Sequence, residues 1–486
     1  MRRSRPRPAV RTALALAITV VALSLGPVEA AGSDPAVIGS WAAPVPMGVI
    51  GIHAALLPSG KVLFYELPGS TLARARVYDP TTGTSTAVDP KLDWSVFCSG
   101  MSIMPDGRVF VTGGEPPRTA THPVGTGIES AVFFDPGANN WTPALPMHFP
   151  RWYPSNVNMP DGTVLVAGGE SAPTGVDKMI KPMESFDPAT GRWTTLPASA
   201  NLTGLYPRTF LLPNAHVLVA GPQKTTKEYN PSTQTWNAVS SMLSGTRNGG
   251  GVVLLPGLDR VLTAGGKHGT AATATSELLD LSAASPRWTA TGSMQIARMH
   301  QNLVLLPDAT VLAVGGGQNG NFGNPVRTAE LYDPATGTWR AMATQTAPRS
   351  YHSTALLLPD GRVISAGSNS GKPEETMVEI YSPPYLFAGT RPTVSAAPST
   401  IGFGGSFDVQ TPDASRIARV ALLRLGATTH GWAAEQRYVD LTFTKGAGVL
   451  HVKGPADAAK APAGPYMLFI LNDAGVPAVA PILSLG

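Results

Sequence analysis

The hydrophobic pattern of the chain repeats seven times. Each repeat contains a short, valine-rich apolar run that ends at or near a glycine. The runs read GKVLFYEL, GRVFVTGG, GTVLVAGG, HVLVAGP, DRVLTAGG, TVLAVGG and GRVISAGS, and their first core valines are Val62, Val109, Val164, Val217, Val261, Val311 and Val363. Short apolar runs bounded by turn residues predict buried β-strands.

The spacing of these valines is regular, with intervals of 47, 55, 53, 44, 50 and 52 residues. A period near 50 is typical of kelch-type propellers, in which each repeat is a four-stranded blade around a central channel. We therefore predict an all-β protein with one seven-bladed kelch-type β-propeller over residues 36–388.

Turn motifs and tryptophans recur with about the same period as the valines. An aromatic residue followed by Asp-Pro or Asn-Pro marks a strand end and a turn after five of the runs, at Tyr78, Phe134, Phe186, Tyr229 and Tyr332. Tryptophans recur after most of these turns, at Trp141, Trp193, Trp236, Trp288 and Trp339. We expect these tryptophans to pack between neighbouring blades.

The repeat stops after Arg391-Pro392. Residues 389–486 contain short alternating segments such as ARVALLRL from Ala418 and YVDLTFT from Tyr438. About 98 residues with this pattern suit a small immunoglobulin-like β-sandwich, so we predict a second, C-terminal domain there.

Composition supports the all-β class. The 486 residues include 52 glycines and 46 prolines, 43% are hydrophobic and only 14% are charged. Such a chain is too apolar for disorder and too often interrupted by glycine and proline for a helical bundle. The first thirty residues carry the whole net charge of +4, because they contain five arginines and one glutamate, Glu29. No basic stripe remains that would bind nucleic acid.

The first thirty residues have the pattern of a secretory signal peptide. The arginines precede a 13-residue apolar run, Ala13 to Leu25, and Val28-Glu29-Ala30 offers a small-residue cleavage site. Thirteen helical residues cannot span a hydrocarbon layer of about 30 Å, so we expect no stable membrane span. We predict an exported protein, secreted to the extracellular space or cell wall; the twin-arginine and general routes both stay open.

Candidate chemistry appears eleven residues before each core valine. The seven positions are Gly51, Cys98, Tyr153, Tyr206, Gly250, His300 and His352, with Tyr351 adjoining the last. Equivalent positions in different blades should converge at one end of the channel. No carboxylate shares the register, which argues against a serine triad or a paired-carboxylate glycosidase. Imidazoles with phenolates suit copper or iron, while a Cys/His nucleophile pair and simple packing of the channel mouth stay open.

Several segments resemble the copper radical oxidases, the family of galactose oxidase and glyoxal oxidase. The resemblance covers both predicted domains and is carried by the segments FCSGMSIMPDGRVFVTGG, RWYPSNVNMPDGTVLVAGG, PRSYHSTALLLPDGRVISAGS, ATTHGWAAEQR and PAGPYMLFILNDAGVP. It implies the family's propeller and C-terminal sandwich, which is also what the repeat predicts.

The resemblance implies a copper site and a radical cofactor. Tyr153 matches the equatorial radical tyrosine, and Cys98 matches the cysteine joined to its ring by a thioether. Tyr351 matches the axial tyrosine, while His352 and His430 match the two histidine ligands. Since His430 lies in the C-terminal domain, a loop there would have to reach into the propeller channel. The copper ligands would thus be Tyr153, Tyr351, His352 and His430.

Two further residues are candidates for the substrate pocket. Tyr206 matches a tyrosine that lines the family's site, and His300 shares the register without a ligand role. The chain has Pro207 where galactose oxidases have a sugar-binding arginine, and it lacks their tryptophan after Gly168-Gly169. The other histidines that we considered, His53, His122, His148 and His216, are expected to be ordinary packing or surface residues.

The implied function is that of a secreted copper radical oxidase. It would couple two-electron oxidation of a small aldehyde or primary alcohol to reduction of O₂ to H₂O₂. The alternatives are a non-catalytic propeller that binds glycans or a surface partner, and a metal-binding but redox-silent descendant. The sequence does not decide whether a separate protein loads the copper.

Overall fold

A computed structural model describes residues 34–66, 73–117, 123–175, 177–268, 271–370 and 373–486. The predicted signal peptide over residues 1–30 and His122 lie outside the described residues. Nearly all regular structure in these ranges is β, which confirms the predicted class. The helical elements are α1 (Pro35–Ile38) and four 3₁₀ turns, Ala198–Ala200, Pro373–Thr376, Pro384–Phe387 and Ala414–Arg416. Within the same ranges, no helix has the length and apolar character needed to cross a lipid bilayer.

The strands up to residue 382 build the repeating part of the fold. In chain order they are β1 (Ser40–Trp41), β2 (Val45–Pro46), β3 (His53–Leu56), β4 (Val62–Tyr65), β5 (Ala75–Asp79), β6 (Thr84–Ala87), β7 (Gly100–Ile103), β8 (Val109–Thr112), β9 (Ala131–Asp135), β10 (Asn140–Pro143), β11 (Trp152–Asn158), β12 (Val164–Glu170), β13 (Glu184–Asp187), β14 (Arg192–Thr195), β15 (Thr209–Leu211), β16 (Val217–Val219), β17 (Thr225–Asn230), β18 (Thr235–Ser241), β19 (Gly251–Leu254), β20 (Arg260–Ala264), β21 (Lys267–His268), β22 (Ala271–Ala272), β23 (Ser276–Asp280), β24 (Trp288–Thr291), β25 (Asn302–Leu305), β26 (Val311–Val314), β27 (Gly317–Asn319), β28 (Gly323–Pro325), β29 (Thr328–Asp333), β30 (Thr338–Thr344), β31 (Ser353–Leu357), β32 (Val363–Gly367) and β33 (Met377–Ser382).

Four of these strands form two separate hairpins, β21–β22 and β27–β28, and the others form seven antiparallel sheets, a number that agrees with the seven predicted repeats. The sheets are β3–β6, β7–β10, β11–β14, β15–β18, β19-β20-β23-β24, β25-β26-β29-β30, and β31–β33 completed by β1 and β2. In every sheet the valine run is the second strand, as β4, β8, β12, β16, β20, β26 and β32. The pairing of β1 with β33 joins the start of the repeats to their end.

Burial falls from the first strand of a sheet to the fourth. All residues of β3 are buried, whereas all residues of β6 are exposed. The first strands β7, β11 and β15 contact one another in sequence, and β19, β25, β31 and β3 do the same. The first strands are therefore innermost.

The recurrent tryptophans tie each sheet to the one before it. The indole N–H of Trp193 donates to the carbonyl of Leu145 at 2.8 Å, and that of Trp339 donates to the Ser276 hydroxyl at 3.1 Å. Each partner belongs to the preceding repeat, which confirms the predicted packing between blades.

Four sheets also contain a buried arginine paired with a glutamate of the third strand. The Arg to Glu distances are 2.8 Å for Arg151–Glu184, 2.6 Å for Arg247–Glu277, 2.5 Å for Arg298–Glu330 and 3.8 Å for Arg349–Glu379. A buried charge is tolerated when it is paired and hydrogen-bonded, so these pairs are internally compensated.

The C-terminal residues form two further sheets and one hairpin. Their strands are β34 (Thr400–Ile401), β35 (Ser406–Gln410), β36 (Ile417–Arg424), β37 (Ala427–Thr429), β38 (Trp432–Ala433), β39 (Tyr438–Leu441), β40 (Phe443–Gly446), β41 (Val449–Lys453), β42 (Gly464–Asn472) and β43 (Ile482–Leu485). The sheets β34-β43-β42-β36-β39 and β35-β41-β40 share one apolar cluster, which includes Val420, Leu450 and Leu468. The proposed domain boundary at 388/389 stays a prediction.

The hairpin β37–β38 leaves the C-terminal sheets and joins the first propeller sheet. Strand β37 pairs antiparallel with β3, with Thr429 opposite His53. It also contacts β31 and β7, and β38 contacts β19 and β25. The hairpin therefore lies among the innermost strands, so the predicted loop from the C-terminal region does enter the channel.

Candidate metal centre

The five predicted site residues at the repeat positions share one unusual backbone conformation. Positive φ angles occur at Cys98 (59°), Tyr153 (63°), Tyr206 (43°), His300 (65°) and His352 (66°). Such angles are uncommon for residues with a side chain and tend to occur at functional sites. Because the same turn precedes or opens the innermost strand in each of these sheets, all five side chains reach the same end of the channel.

Backbone hydrogen bonds link these turns from one sheet to the next. The Tyr153 N–H donates to the Cys98 carbonyl at 2.8 Å, and the Tyr206 N–H donates to the Tyr153 carbonyl at 2.8 Å. The His300 N–H donates to the Gly249 carbonyl at 2.6 Å, and Gly249 has φ 68°. In the fifth sheet, the residue that takes part in these hydrogen bonds is therefore Gly249. The sequence count of eleven residues before the core valine had given Gly250, one residue later.

His430 arrives from the hairpin tip. Strands β37 and β38 are joined by His430 and Gly431, with φ angles of 52° and 69°. Two central residues with positive φ match a two-residue type I′ turn, whose second position strongly favours glycine. A Cβ on Gly431 would lie 2.7 Å from the Gln301 carbonyl oxygen, so the tip also packs closely against the neighbouring sheet.

The donor atoms of the five key residues cluster in the interior. The Cys98 sulfur and one ring nitrogen each of His352 and His430 lie within 4.8 Å of one another, and all three residues are buried. The Cys98 Sγ to His430 Nε2 distance is 3.5 Å. The hydroxyls of Tyr153 and Tyr351 are in direct contact. The Tyr153 and His430 ring centroids are 4.7 Å apart.

Hydrogen bonds orient both imidazoles so that each Nε2 offers a lone pair. The His352 Nδ1 lies 2.7 Å from the Asn369 amide oxygen, which can only accept, so Nδ1 carries the proton. The Thr429 hydroxyl donates to the Ile52 carbonyl at 3.0 Å and therefore accepts from His430 Nδ1 at 2.5 Å. The buried His352 Nε2 has no partner among the described residues. An orphaned imidazole nitrogen of this kind fits a metal ligand.

Burial sets the ionisation of these groups. Burial, together with nearby histidines, lowers the pKa of His352 to about 3 and that of His430 well below the ordinary value. Both rings are therefore neutral near pH 7, as ligands must be. Burial raises the pKa of Tyr153 and Tyr351, so both are protonated phenols unless a bound cation reverses the balance.

The site opens into a cavity of about 250 Å³. Tyr153, Tyr351 and His430 line it from the metal side, and the two pocket candidates Tyr206 and His300 also line it. The Tyr206 hydroxyl donates to the Ser99 carbonyl at 2.9 Å. Burial and the charge of Arg208 lower the pKa of His300 to about 4. The structure thus brings every sequence-predicted site residue to one place.

The sequence did not reveal several contacts that support the site. His53, expected to be an ordinary packing residue, is fully buried and accepts the Cys98 backbone N–H on Nε2 at 3.0 Å. The sequence did offer one indication, because His53 lies two residues after Gly51, the first of the seven repeat positions. Asn369 and Arg208 lie outside the quoted segments, and Thr429 lies in ATTHGWAAEQR without an assigned role.

The ring of Tyr153 has aromatic neighbours despite the absence of a tryptophan after Gly168-Gly169. The Trp152 ring lies 4.0 Å from it at an interplanar angle of 74°, and the Tyr206 ring lies 4.6 Å away at 62°. Both contacts are edge-on, so the described rings cover Tyr153 without stacking parallel to it.

Comparisons with known proteins agree with this architecture. Residues 259–385 match the family described as glyoxal oxidase N-terminus, and residues 391–485 match the galactose oxidase-like early set domain. A galactose oxidase of Gibberella zeae is 28% identical over 91% of this chain and 70% of its own length. An aldehyde oxidase GLOX of Vitis pseudoreticulata is 26% identical over 91% of this chain and 96% of its own length.

One solved structure is similar over almost the whole chain. It is a fungal alcohol oxidase of the AA5 family in complex with copper, with a TM-score of 0.82 and 27% identity, covering 92% of this chain and 99% of that one. These matches confirm the resemblance found in the sequence. The chain is thus an enzyme that resembles the copper radical oxidases, the group of galactose oxidase and glyoxal oxidase, over nearly its whole length.

Proposed function

We propose that the protein couples two-electron oxidation of a small aldehyde or primary alcohol to reduction of O₂ to H₂O₂. The observation that carries the proposal is the convergence of two oriented imidazoles, two touching phenols and one thiol at the end of a single cavity. The reactions balance as RCH₂OH + O₂ → RCHO + H₂O₂ and RCHO + H₂O + O₂ → RCOOH + H₂O₂.

In this proposal, copper is held by Nε2 of His352, Nε2 of His430 and the phenol oxygens of Tyr153 and Tyr351. Imidazole and phenolate ligands suit this metal, and when bound it supplies one of the two oxidising equivalents. The phenol of Tyr153 holds the other equivalent as a radical. Tyr351, ionised to the phenolate that a bound cation would favour, would accept the substrate's hydroxyl proton on its oxygen and act as general base.

We further propose that Cys98 and Tyr153 form a thioether cofactor. Making one C–S bond breaks an S–H and a ring C–H bond, and O₂ accepts the two electrons and two protons as H₂O₂. The 2.8 Å backbone hydrogen bond between the two residues and their shared apolar cluster support this pairing. The competing arrangement is a His₂Cys site in which Cys98 binds copper directly, since thiolate is also a copper ligand.

The substrate is a small aldehyde or simple alcohol rather than galactose. Pro207 cannot donate a side-chain hydrogen bond at the position where the sugar-binding arginine would stand. The names of the similar aldehyde and alcohol oxidases support the same choice. We also propose that the enzyme is exported, on the basis of the signal-peptide pattern of residues 1–30.

Simultaneous recording of O₂ uptake and H₂O₂ release tests this function. Copper-loaded protein is supplied with small aldehydes and primary alcohols, beside metal-free protein and a His352→Ala variant. We expect one H₂O₂ per O₂ consumed, and no turnover in either control. Copper binding without O₂ uptake on any of these substrates would contradict the proposal and favour the redox-silent alternative.

A further inference from the structure

Arg208, a buried arginine in the cavity wall, has no glutamate partner among the described residues, unlike the buried arginines paired above. Arg208 follows Pro207 just before β15, is only 4% exposed, and lines the cavity together with Tyr153, Tyr351 and His430. Its position is fixed because its backbone N–H donates to the Gly221 carbonyl at 2.9 Å. The guanidinium therefore belongs to the cavity wall beside the proposed copper site.

Arg208 lies outside the register of the buried Arg–Glu pairs, because it is nine residues before Val217, whereas the paired arginines lie 13 or 14 residues before their core valines. In each buried pair, the glutamate lies two residues before the third-strand residue that pairs with the core valine. Glu184, for example, lies two residues before Phe186, which pairs with Val164. In the fourth sheet Tyr229 faces Val217, and the residue two positions earlier is Lys227. The sheet that contains Arg208 thus has a lysine where its neighbours have the pairing carboxylate.

Among the described residues no carboxylate pairs with Arg208, whose guanidinium carbon lies 5.4 Å from the Trp432 ring centroid. The Arg208 Nη1 donates to the Tyr206 carbonyl at 3.2 Å, and its Nε has no partner among the described residues. Arg437, which is also buried without a glutamate, instead donates to three carbonyls at 2.7 to 2.8 Å. Burial lowers the pKa of Arg208 to about 10, so it stays charged at neutral pH. A buried charge without a partner is unfavourable, and an anion in the cavity would relieve this cost.

We propose that Arg208 binds the carboxylate of the substrate, so that the enzyme oxidises small aldehydes or alcohols that are anionic. A guanidinium offers a planar set of donors that matches a carboxylate, and charge-assisted bonds of this kind are the strong ones. The inference rests on the proposed oxidase function and narrows its substrate class. Arg208 is then a specificity-determining residue that contacts the non-reacting end of the substrate.

Two pairs of aldehydes test the inference, because each pair differs only in charge. They are glyoxylate with its amide, and 4-oxobutanoate with its amide, assayed on copper-loaded wild type, Arg208→Lys and Arg208→Met. For at least one pair, we expect wild type to favour the acid in kcat/KM by about tenfold to a hundredfold, mainly through KM. The ratio should fall to near one in Arg208→Met and stay above one in Arg208→Lys.

Lys224 supplies a matched control, because it is an exposed cation next to the cavity residue Gln223. Lys224→Met should leave the acid-to-amide ratio unchanged. Equal kcat/KM for acid and amide of both pairs in wild type would overturn the inference while leaving the oxidase function intact. A fall in kcat of Arg208→Met that is equal for acid and amide would also overturn it, since Arg208 would then only tune Tyr351.

A binding measurement separates this inference from the oxidase function and does not need turnover. Calorimetry of metal-free wild-type protein with acetate and with acetamide reports the anion preference directly. We expect one saturable acetate site with at least about tenfold preference over acetamide, lost in Arg208→Met. Equal affinities in wild type would overturn the inference, even if the Arg208→Met variant cannot be prepared.

Discussion

At the scale of single residues, the site depends on which nitrogen of each imidazole carries the proton. Asn369 and Thr429 settle this by accepting from Nδ1 of His352 and His430. The Thr429 hydroxyl donates its one proton to the Ile52 carbonyl at 3.0 Å, so it can only accept from His430 Nδ1. Partners of this kind orient a ligand and raise its basicity.

Removing these acceptors should weaken copper binding. Asn369→Ala or Thr429→Val leaves both histidines in place but frees their orientation, and we expect about 10- to 100-fold lower copper affinity. Titration against a copper chelator of known affinity measures the change. Thr429→Ser keeps the hydroxyl and is the control. Unchanged affinity in Thr429→Val would show that the hydroxyl does not orient His430.

Tyr351 is expected to act on a proton, which Tyr351→Phe tests. The ring and its contacts with His300 and His352 are kept, and only the hydroxyl is lost. We expect kcat to fall by about 10²- to 10⁴-fold, the range for loss of a positioned acid or base. Stopped-flow kinetics with substrate deuterated at the reacting carbon would reveal which step slows. A kcat within a few-fold of wild type would contradict the assigned role.

At the scale of elements, one hairpin brings the C-terminal region to the metal centre. Residues just after its second strand hold it in the channel, because Glu435 pairs with Arg424 at 2.8 Å and accepts from Asn158 at 2.9 Å. Gln436 donates to the Leu303 carbonyl at 2.7 Å. These bonds reach different innermost strands, so the tip that presents His430 is fixed from several sides.

Gly431 is the weak point of this hairpin. Gly431→Ala combines an unfavourable positive φ with a Cβ only 2.7 Å from the Gln301 carbonyl oxygen. We expect lower stability and weaker copper binding, because the tip must shift and His430 with it. Gly448→Ala is the matched control, since Gly448 has φ 75° and a Cβ added there would meet nothing within 4 Å.

Thermal unfolding and copper titration of Gly431→Ala and Gly448→Ala test whether the hairpin tip positions His430. The strain of a positive φ, about 1 kcal/mol, should appear in both. Only Gly431→Ala should lose copper affinity. Equal copper affinities in the two variants would contradict the role assigned to the hairpin tip.

At the scale of the whole molecule, several buried histidines meet where the sheets converge. Burial lowers the pKa of His53, His300, His352 and His430 in the folded protein. In the unfolded chain their pKa is about 6.5, so the unfolded chain binds protons at pH values where the folded protein does not. Stability is therefore full above that pH and is lost as the pH falls towards the lowered values.

Metal-free protein should accordingly have a lower melting temperature at pH 5 than at pH 7. Scanning calorimetry at both pH values measures the difference. His53→Gln should reduce the difference, because it removes one of the four groups. A melting temperature that is equal at pH 5 and pH 7 would contradict the role assigned to these histidines.

Much of this architecture could be predicted from the sequence because the repeat is local. The valine period anticipated the second strand of all seven sheets, and the eleven-residue register brought Cys98, Tyr153 and His352 to one end of the channel. The contacts that complete the site could not be predicted in this way. His53 reaches Cys98 across 45 residues and Thr429 reaches Ile52 across 377, so tertiary packing alone brings them together. The lysine at the glutamate position of the sheet that contains Arg208 could likewise be recognised only from the strand pairing in the structure.

The central claim is that Cys98 and Tyr153 form one covalent redox group. Intact mass and reducing peptide mapping of copper-loaded, air-exposed protein test it most directly. We predict a mass lower by two hydrogen atoms that survives reductant and maps to a linked peptide containing Cys98 and Tyr153. A Cys98 that is still free and alkylatable after copper exposure would contradict the claim, and the His₂Cys arrangement would then be the better description of the site.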